Sequence, residues 1–421
     1  MRKKLVIGLL AVALSAFGAD ATAGGSTVAQ QGSFTGASDS FFGYSVAVDG
    51  NTAVVGAWND AGGNGAAYVF TRNGSGAWSQ QQELTAPDGA SGDQFGYAVA
   101  VSGNIALVGA AGKASGQGYV YAFSQSGTTW TKQAEFTSSD GSASDCFGCA
   151  IALSGGTAFV GAPGKLGNTG GAYAFGESGG AWSQGTEFVG QSSSAYFGFS
   201  VALAPNATTA VVGAFGTSSS TGSAYVFDAS GSTWSQQAVL TASDGATGDN
   251  FGYSVGAGNG TALVGAYGNG GQGAAYYFTG SGTSWSQQAK LVASDASANA
   301  YFGYAVALSG STAVVGAYEK STSGGPGEAY VFTNSGSAWS QQSLPPQGAY
   351  FGYAVAASGT TAVVGALAGY SGEVAMYAPA ATPPAAAAPA LGGKVALLAM
   401  ALLAAACATL RAGPRREGAA L

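Results

Sequence analysis

Hydrophobic residues recur along the chain in short segments, separated by turns rich in Gly, Asn, Asp and Ser. In the first complete unit these segments are GYSVAV, TAVVGA, AAYVF and WSQQQEL, the last of which runs from Trp78 to Leu84. Short β-branched and aromatic segments bounded by turn residues are typical of β-strands. The first two segments are small and apolar, so we expect both of their faces to be buried. The fourth carries glutamines and alternates, so we expect an exposed edge strand.

The same unit recurs at nearly constant spacing. A Phe-Gly pair opens each unit, at Phe42, Phe95, Phe147, Phe197, Phe251, Phe302 and Phe351, with intervals of 53, 52, 50, 54, 51 and 49 residues. A Val-Gly-Ala sequence follows in each, ending at Ala57, Ala110, Ala162, Ala214, Ala266, Ala317 and Ala366. Four antiparallel strands in a unit of this length are typical of a β-propeller blade. The sequence therefore predicts an all-β fold, a seven-bladed propeller of four-stranded antiparallel blades.

Residue size predicts where the side chains of each blade lie. Small residues of the first segment suit the axis, where the blades converge, and large aromatics such as Tyr68, Phe70 and Trp78 suit the wider space between the outer parts of blades. We therefore expect the repeated aromatics, including the seven Phe-Gly phenylalanines, to be structural.

The number of tryptophan segments predicts how the ring closes. They begin at Trp78, Trp130, Trp182, Trp234, Trp285 and Trp339, one fewer than the Phe-Gly units, and the last unit ends at Tyr377 after its third segment. The sequence TVAQQGSF at 27–34 resembles the fourth segment without its tryptophan. We expect this N-terminal strand to complete the seventh blade and so hide the sheet edges.

Both ends of the chain depart from the repeat. Residues 1–23 combine a basic start, an apolar stretch and Ala-Thr-Ala at 21–23, which predicts a signal peptide cleaved after Ala23, with a second candidate site at 19–21. The alternative is a buried N-terminal helix. Residues 24–378 form the predicted propeller, and 379–393 form a Pro/Ala-rich linker. An apolar segment at 394–411 and a basic tail at 412–421 resemble the sorting signals of bacterial surface proteins and predict a membrane anchor. The alternative is an ordinary terminal helix.

Composition restricts the chemistry. The chain has 421 residues, 72 of them Gly, with 8% charged residues and no histidine. Without histidine, a Ser-His-Asp or Cys-His pair is excluded, as is a metal site that needs imidazole. Residues 24–384 hold six basic and 18 acidic residues, a net charge of −12, so a nucleic-acid partner is not expected.

Cys146 and Cys149 form a CFGC sequence on a repeat position, with Cys149 where other units have Tyr or Phe. Two interpretations remain open: small buried residues, or a local disulfide.

The pattern FG-x-[SA]-V-A, then VVGA and a Tyr-Val-Phe strand, resembles the FG-GAP repeat family, which includes the propellers of integrin α subunits. The resemblance covers roughly residues 27–377. It implies a propeller and, in the better-known members, calcium bound in the first hairpin turn by alternating carboxylates. In this chain only one of these turns is acidic, at Asp49. The sequence is therefore more similar to a bacterial type that lacks the calcium loops, and we expect no cofactor there.

A second acidic pattern, D-G-x-x-x-D, precedes three Phe-Gly units. Its members are Asp88, Asp93, Asp140, Asp145, Asp244 and Asp249. Asp in such loops commonly caps turns with its own side chain, and the alternative is a set of weak cation sites for calcium.

Three functions are compatible with this chain. The first is a secreted or cell-surface interaction or adhesion module without catalysis, which binds a surface protein or glycan through variable loops at 57–67, 162–171 and 317–328. The second is a structural spacer of the cell envelope without a specific ligand. The third is a carbohydrate-active enzyme with paired carboxylates, which we do not expect because no unique acidic cluster distinguishes one unit.

Overall fold

The computed structural model describes residues 28–319, 326–367 and 370–379. They form seven four-stranded antiparallel sheets, which confirms the predicted seven-bladed propeller. In six blades the sheet order follows the chain, so strand one is innermost and strand four is outermost. The predicted signal peptide, the linker from Ala380 onward, the anchor and the basic tail lie outside the described residues.

The first three blades follow one another along the chain. Blade one contains β2 (Phe42–Asp49), β3 (Thr52–Ala57), β4 (Ala66–Arg72) and β5 (Trp78–Leu84). Blade two contains β6 (Phe95–Ser102), β7 (Ile105–Ala110), β8 (Tyr119–Ser126) and β9 (Thr129–Phe136). Blade three contains β10 (Ala150–Ser154), β11 (Thr157–Ala162), β12 (Gly171–Ser178) and β13 (Ala181–Val189).

The next three blades repeat this order. Blade four contains β14 (Ser200–Leu203), β15 (Thr209–Ala214), β16 (Ser223–Ser230) and β17 (Thr233–Leu240). Blade five contains β18 (Ser254–Gly258), β19 (Thr261–Ala266), β20 (Ala274–Ser281) and β21 (Ser284–Leu291). Blade six contains β22 (Phe302–Ser309), β23 (Thr312–Ala317), β24 (Glu328–Asn334) and β25 (Trp339–Leu344).

Blade seven joins the two ends of the described chain. It contains β26 (Ala354–Ser358), β27 (Thr361–Ala366), β28 (Glu373–Pro379) and, as its outermost strand, β1 (Val28–Thr35). Strand β1 pairs antiparallel with β28 from Val28↔Pro379 to Thr35↔Glu373. The predicted closure is therefore confirmed, and the third strand of this blade continues to Pro379.

Short helical turns follow strand two in five blades. They are α1 (Asp60–Gly63), α2 (Lys113–Gly116), α3 (Lys165–Asn168), α4 (Thr217–Ser220) and a 3₁₀ turn at Asn269–Gly271. These turns and the loops that link one blade to the next lie on one face of the disc, which we call the connection face. The tight hairpin turns, such as the one after Asp49, lie on the opposite turn face.

The core lies between neighbouring blades. All seven Phe-Gly phenylalanines are buried, with exposed fractions of 0–3%. Each packs its ring against the tyrosine of strand three in its own blade, as in Phe95–Tyr121, whose ring centroids are 5.3 Å apart. Phe70 and Trp78 pack in the cluster between blades one and seven, as predicted for large aromatics.

The two glycine motifs explain how closely the blades approach. A Cβ added to Gly213, in the Val-Gly-Ala of blade four, would lie 1.9 Å from the carbonyl oxygen of Gly252, in the Phe-Gly of blade five. The equivalent pair meets at every seam, and at the closing seam a Cβ on Gly365 would lie 2.1 Å from the oxygen of Gly43. Glycine is therefore required here because no side chain fits between the backbones.

Burial differs between the strands as the sequence predicts, with one exception. Strand two is buried on both faces, as in Thr209–Ala214, and strand four alternates with exposed positions, as in Ala181–Val189. Strand one was expected to be buried on both faces, and this is wrong for β2, β10, β14 and β26, because most of their side chains are only half-buried where these strands line a central cavity.

Candidate functional site

The six aspartates of the repeated D-G-x-x-x-D pattern lie on the connection face and have two different roles. The second aspartate of each pair caps its own loop. The carboxylates of Asp93, Asp145 and Asp249 accept hydrogen bonds from the backbone N–H three residues earlier, at 2.9, 2.8 and 2.8 Å. These are local turn contacts of the kind that Asp commonly makes.

The first aspartate of each pair binds a lysine and a tyrosine. Asp140 accepts hydrogen bonds from Lys165 and, at 2.9 Å, from the Tyr173 hydroxyl. Burial alone would raise the pKa of Asp140, but the hydrogen bonds from Lys165 and Tyr173 and the charge of Lys165 together outweigh it and lower that pKa. Asp88 is held in the same way by Lys113 and Tyr121, and the hydrogen bond from Lys113 lowers the pKa of Asp88 to about 2.

Blade five uses a lysine from a strand, not from a helical turn, for the same contact. Lys290, on strand four, donates to Asp244 at 2.6 Å, and the Tyr276 hydroxyl donates to the other oxygen at 2.7 Å. An ammonium group therefore already occupies the place where a cation would bind these carboxylates. Within the described ranges no three Asp, Glu or Cys side chains converge as metal ligands. This donor set does not fit calcium, which requires six to eight oxygens.

The turn face uses the family's calcium-loop position for contacts between blades. The Asp49 carboxylate accepts a hydrogen bond from the Gly103 N–H of the next blade at 2.7 Å. Ser102, at the equivalent position of blade two, accepts from Gly155 at 3.0 Å. A neutral or singly charged turn residue therefore links neighbouring hairpins.

A cavity of about 550 Å³ lies on the axis and is lined by the innermost strands of all seven blades. The residue after each Phe-Gly pair projects into it. These residues are Tyr44, Tyr97, Cys149, Phe199, Tyr253, Tyr304 and Tyr353. The expectation that mainly small residues surround the axis is wrong at this level, because this residue is turned toward the cavity rather than toward a neighbouring blade.

Six of these seven side chains form a continuous aromatic arc. From Tyr97 through Tyr44, Tyr353, Tyr304 and Tyr253 to Phe199, neighbouring ring centroids lie 4.7–5.3 Å apart. The arc ends on either side of Cys149, which is bonded to Cys146 in a disulfide. Of the two interpretations of these cysteines, the local disulfide is therefore confirmed.

The phenol groups of the arc lie side by side, and two of them are hydrogen-bonded. The Tyr253 hydroxyl donates to the Tyr304 hydroxyl at 3.0 Å. Burial is the main cause that raises the pKa of Tyr44, Tyr253 and Tyr304 far above the usual value. These hydroxyls therefore stay protonated and neutral at physiological pH.

A second tier of aromatic side chains lies around the mouth of the cavity on the connection face. Phe41 stacks on Trp58 with centroids 4.8 Å apart, and Tyr196 stacks on Phe215 at 4.9 Å. Tyr301 stacks on Tyr318 at 5.4 Å. These residues come from the position before Phe-Gly and the position after Val-Gly-Ala, and most are half-buried.

The fold and this cavity define a closed seven-bladed propeller with an aromatic, uncharged axial pocket. The FG-GAP repeat profile matches residues 35–70, 78–123, 130–175, 190–227, 234–278 and 285–332, which is more than half of the chain. The chain belongs to the FG-GAP repeat family. Several matched segments start at a tryptophan strand, so the sequence repeat is offset by one strand from the blade and requires β1 to complete the ring. A search of curated protein sequences finds no match to the chain.

A membrane anchor was predicted for the segment at 394–411. Across 28–319, 326–367 and 370–379, no helix is long and apolar enough to span a bilayer. The segment at 394–411, for which the anchor is predicted, lies outside these ranges.

Proposed function

We propose that this protein is an exported interaction module, displayed at the cell envelope or secreted, that binds a surface protein or glycan and performs no catalysis. The FG-GAP propeller fold supports an interaction module in general. The observation that carries the proposal is the axial cavity, because it is preformed, opens on the connection face and is lined by side chains without a charge. Concave sites of a few hundred Å³ with a small number of polar groups are typical of ligand pockets.

The engagement of the carboxylates supports a binding role rather than hydrolysis. Asp88, Asp140 and Asp244 are each held by a lysine and a tyrosine, and none of them lines the cavity. Carboxylate-based glycoside hydrolysis needs two such groups on either side of one bond.

The proposal of export and display is supported by the composition of the two ends of the chain. The signal segment at 1–23 and the linker and apolar segment at 379–411 would place the propeller outside the membrane on a short stalk. Cell fractionation and protease accessibility of the full chain in its own cells test this. Protection of the propeller from external protease in intact cells would contradict display.

A binding assay separates the interaction module from a structural spacer. The purified full chain is incubated with envelope preparations, untreated, protease-treated or stripped of glycans. Saturable binding that one of the two treatments abolishes supports the interaction module and identifies the class of partner. Absence of saturable binding supports the spacer.

Calorimetric titration with calcium is expected to give no heat, because lysines occupy the acidic loops.

A further inference from the structure

The seven-fold repetition of the cavity is broken in blade three. The position after Phe-Gly is aromatic in six blades and is Cys149 here. The positions that carry the second tier hold Cys146 and Pro163 in this blade, where blade four has Tyr196 and Phe215. The disulfide between Cys146 and Cys149 keeps this replacement compact. At the position after Phe-Gly, space that rings fill in the other six blades is therefore left open on this side.

The rim residues that line the cavity come from this side. They are Ser144, Cys146, Pro163, Gly164, Asn168 and the adjoining Tyr196 of the next blade. Ser144 and Asn168 are exposed, and both have left-handed backbone conformations, with φ of 69° and 70°. Tyr196 is half-buried and held by its stacking on Phe215. One hydroxyl, one amide and one fixed aromatic ring therefore border the opening.

The phenol groups of Tyr44, Tyr97, Tyr253, Tyr304 and Tyr353 line the cavity that this opening reaches. Such hydroxyls both donate and accept hydrogen bonds, and their burial among aromatic rings makes unsatisfied groups costly. An entirely apolar ligand would offer no partner for the donor and acceptor capacity that these hydroxyls do not use among themselves. No side chain that lines the cavity carries a charge, so a strongly charged ligand would be desolvated without a counter-ion.

We propose that this opening over blade three is a binding site for a neutral saccharide. A sugar ring has an apolar face of C–H groups that can stack on Tyr196 and Phe199, and hydroxyls that can bond to the phenols, Ser144 and Asn168. The cavity volume of about 550 Å³ lies within the range of small-molecule sites and suits one or two sugar residues. The inference rests on the proposed function and specifies its ligand class as a glycan.

The test is isothermal titration calorimetry of the purified full chain with free neutral oligosaccharides. The panel contains tetramers of mannose, of galactose and of N-acetylglucosamine, and glucose tetramers in two linkages. Tetramethylammonium chloride is titrated in parallel. The expected result is binding of at least one oligosaccharide and no binding of the cation. No heat with any oligosaccharide up to about 10 mM would overturn the proposal, as would binding of the cation alone.

Two variants locate the site. The double variant Cys146→Asn with Cys149→Tyr gives blade three the sequence NFGY that blade five has at 250–253, and so fills the opening with the repeat's own residues. It is expected to weaken saccharide binding at least tenfold with little change in melting temperature. Asn168→Ala removes an exposed amide, at a small cost in backbone strain at this left-handed position, and is expected to weaken binding several-fold in a chain that stays folded. Gln237→Ala, on the outermost strand of blade four, is the control and should bind as the parent does.

The outcomes separate this inference from the function on which it depends. Undiminished saccharide binding in a folded double variant and in Asn168→Ala would overturn the assignment of the saccharide site to blade three. Saturable binding of the full chain to envelope preparations, together with no saccharide binding, would leave the interaction module intact and refute the saccharide site.

Discussion

Substituting Gly213 by Ala tests whether the contact between glycine backbones sets the spacing of the blades. Gly213 lies in β15 and has no left-handed backbone conformation, so alanine can adopt its dihedral angles. The added Cβ would lie 1.9 Å from the carbonyl oxygen of Gly252 and 3.0 Å from its carbonyl carbon. The added Cβ would also lie 2.3 Å from the Ser200 hydroxyl, which itself donates to the Gly252 oxygen at 2.9 Å, so the effect of the substitution arises from crowding at the seam between blades four and five.

The expected magnitude follows from the distance. Rotation of the Ser200 side chain can relieve only the contact with its own hydroxyl. Relief of the contact with Gly252 needs a displacement of more than 1 Å between two backbones that neighbouring hydrogen bonds hold in place. Overpacking of a well-packed core costs about 1–3 kcal/mol, and we expect the upper end, about 3 kcal/mol. For large domains about 1 kcal/mol corresponds to roughly 2–4 °C, so the melting temperature should fall by roughly 6–12 °C.

Differential scanning calorimetry and urea unfolding of the purified chain measure this effect. Gly176→Ala is the matched control, because a Cβ there meets nothing within 4 Å and the backbone is also not left-handed. The control should be neutral or slightly stabilising, since alanine reduces the entropy of the unfolded chain. A fall of less than about 2 °C for Gly213→Ala, comparable to the control, would refute the steric explanation of the motif.

Three further perturbations test the closure and the charge pairs. Gln342→Ala removes two hydrogen bonds, at 2.7 and 2.9 Å, to the backbone of the strand that closes the ring, and should lower the free energy of unfolding in urea by about 1–3 kcal/mol. Gln288→Ala is the control, because its hydrogen bonds are local, and should lower that free energy by less than about 0.5 kcal/mol. Deletion of residues 26–34 should strongly lower the melting temperature, and an unchanged value would contradict the closure. The folded pKa of Asp88, about 2 beside Lys113, lies below its unfolded value, so its stabilisation is present above about pH 4 and lost as pH falls toward 2. Melting curves across that range should show a smaller acid-induced loss in Asp88→Asn than in the parent.

The strands and their order could be predicted because the signals are local and repeated. Each turn interrupts the apolar pattern in the same way seven times, so one ambiguous segment is corrected by its equivalents in other units. Closure through residues 27–34 followed from counting tryptophan strands against Phe-Gly pairs. The N-terminal strand takes the place of a seventh tryptophan strand. This arrangement pairs the sheet edges at both ends of the chain, which would otherwise be exposed.

The aromatic arc could not be predicted in the same way. Tyr44 and its equivalents have the same alternating pattern as residues that pack between blades, since period two only separates the two faces of a strand. Which face of the innermost strand looks toward the axis depends on the radius of the closed ring, which no single unit specifies. One sequence signal for the arc was available. Cys149 replaces an aromatic residue that every other unit has at this position, and it is therefore the exception to the repeat.

The lysine contacts of the first aspartates were missed for a related reason. Lys165 is 25 residues from Asp140, on a helical turn of the next blade. Lys290 reaches Asp244 from an outer strand instead, so no fixed sequence spacing links the acid to its base. Only the folded contact between neighbouring blades shows that a lysine at either of two positions donates to the first aspartate of a pair.

The repeated and the unique residues of this propeller have different physical roles, and this explains why the cavity is suited to recognition. Close glycine contacts at every seam fix the distance between blades, and β1 closes the ring, so the aromatic arc is held without a ligand. A preformed site loses little conformational entropy on binding. Against this constant background, exchange of a few residues in one blade changes the shape and polarity of the cavity without changing the scaffold. The Cys146–Cys149 segment is such an exchange, and specificity should therefore be sought at this departure from the repeat rather than in the repeat itself.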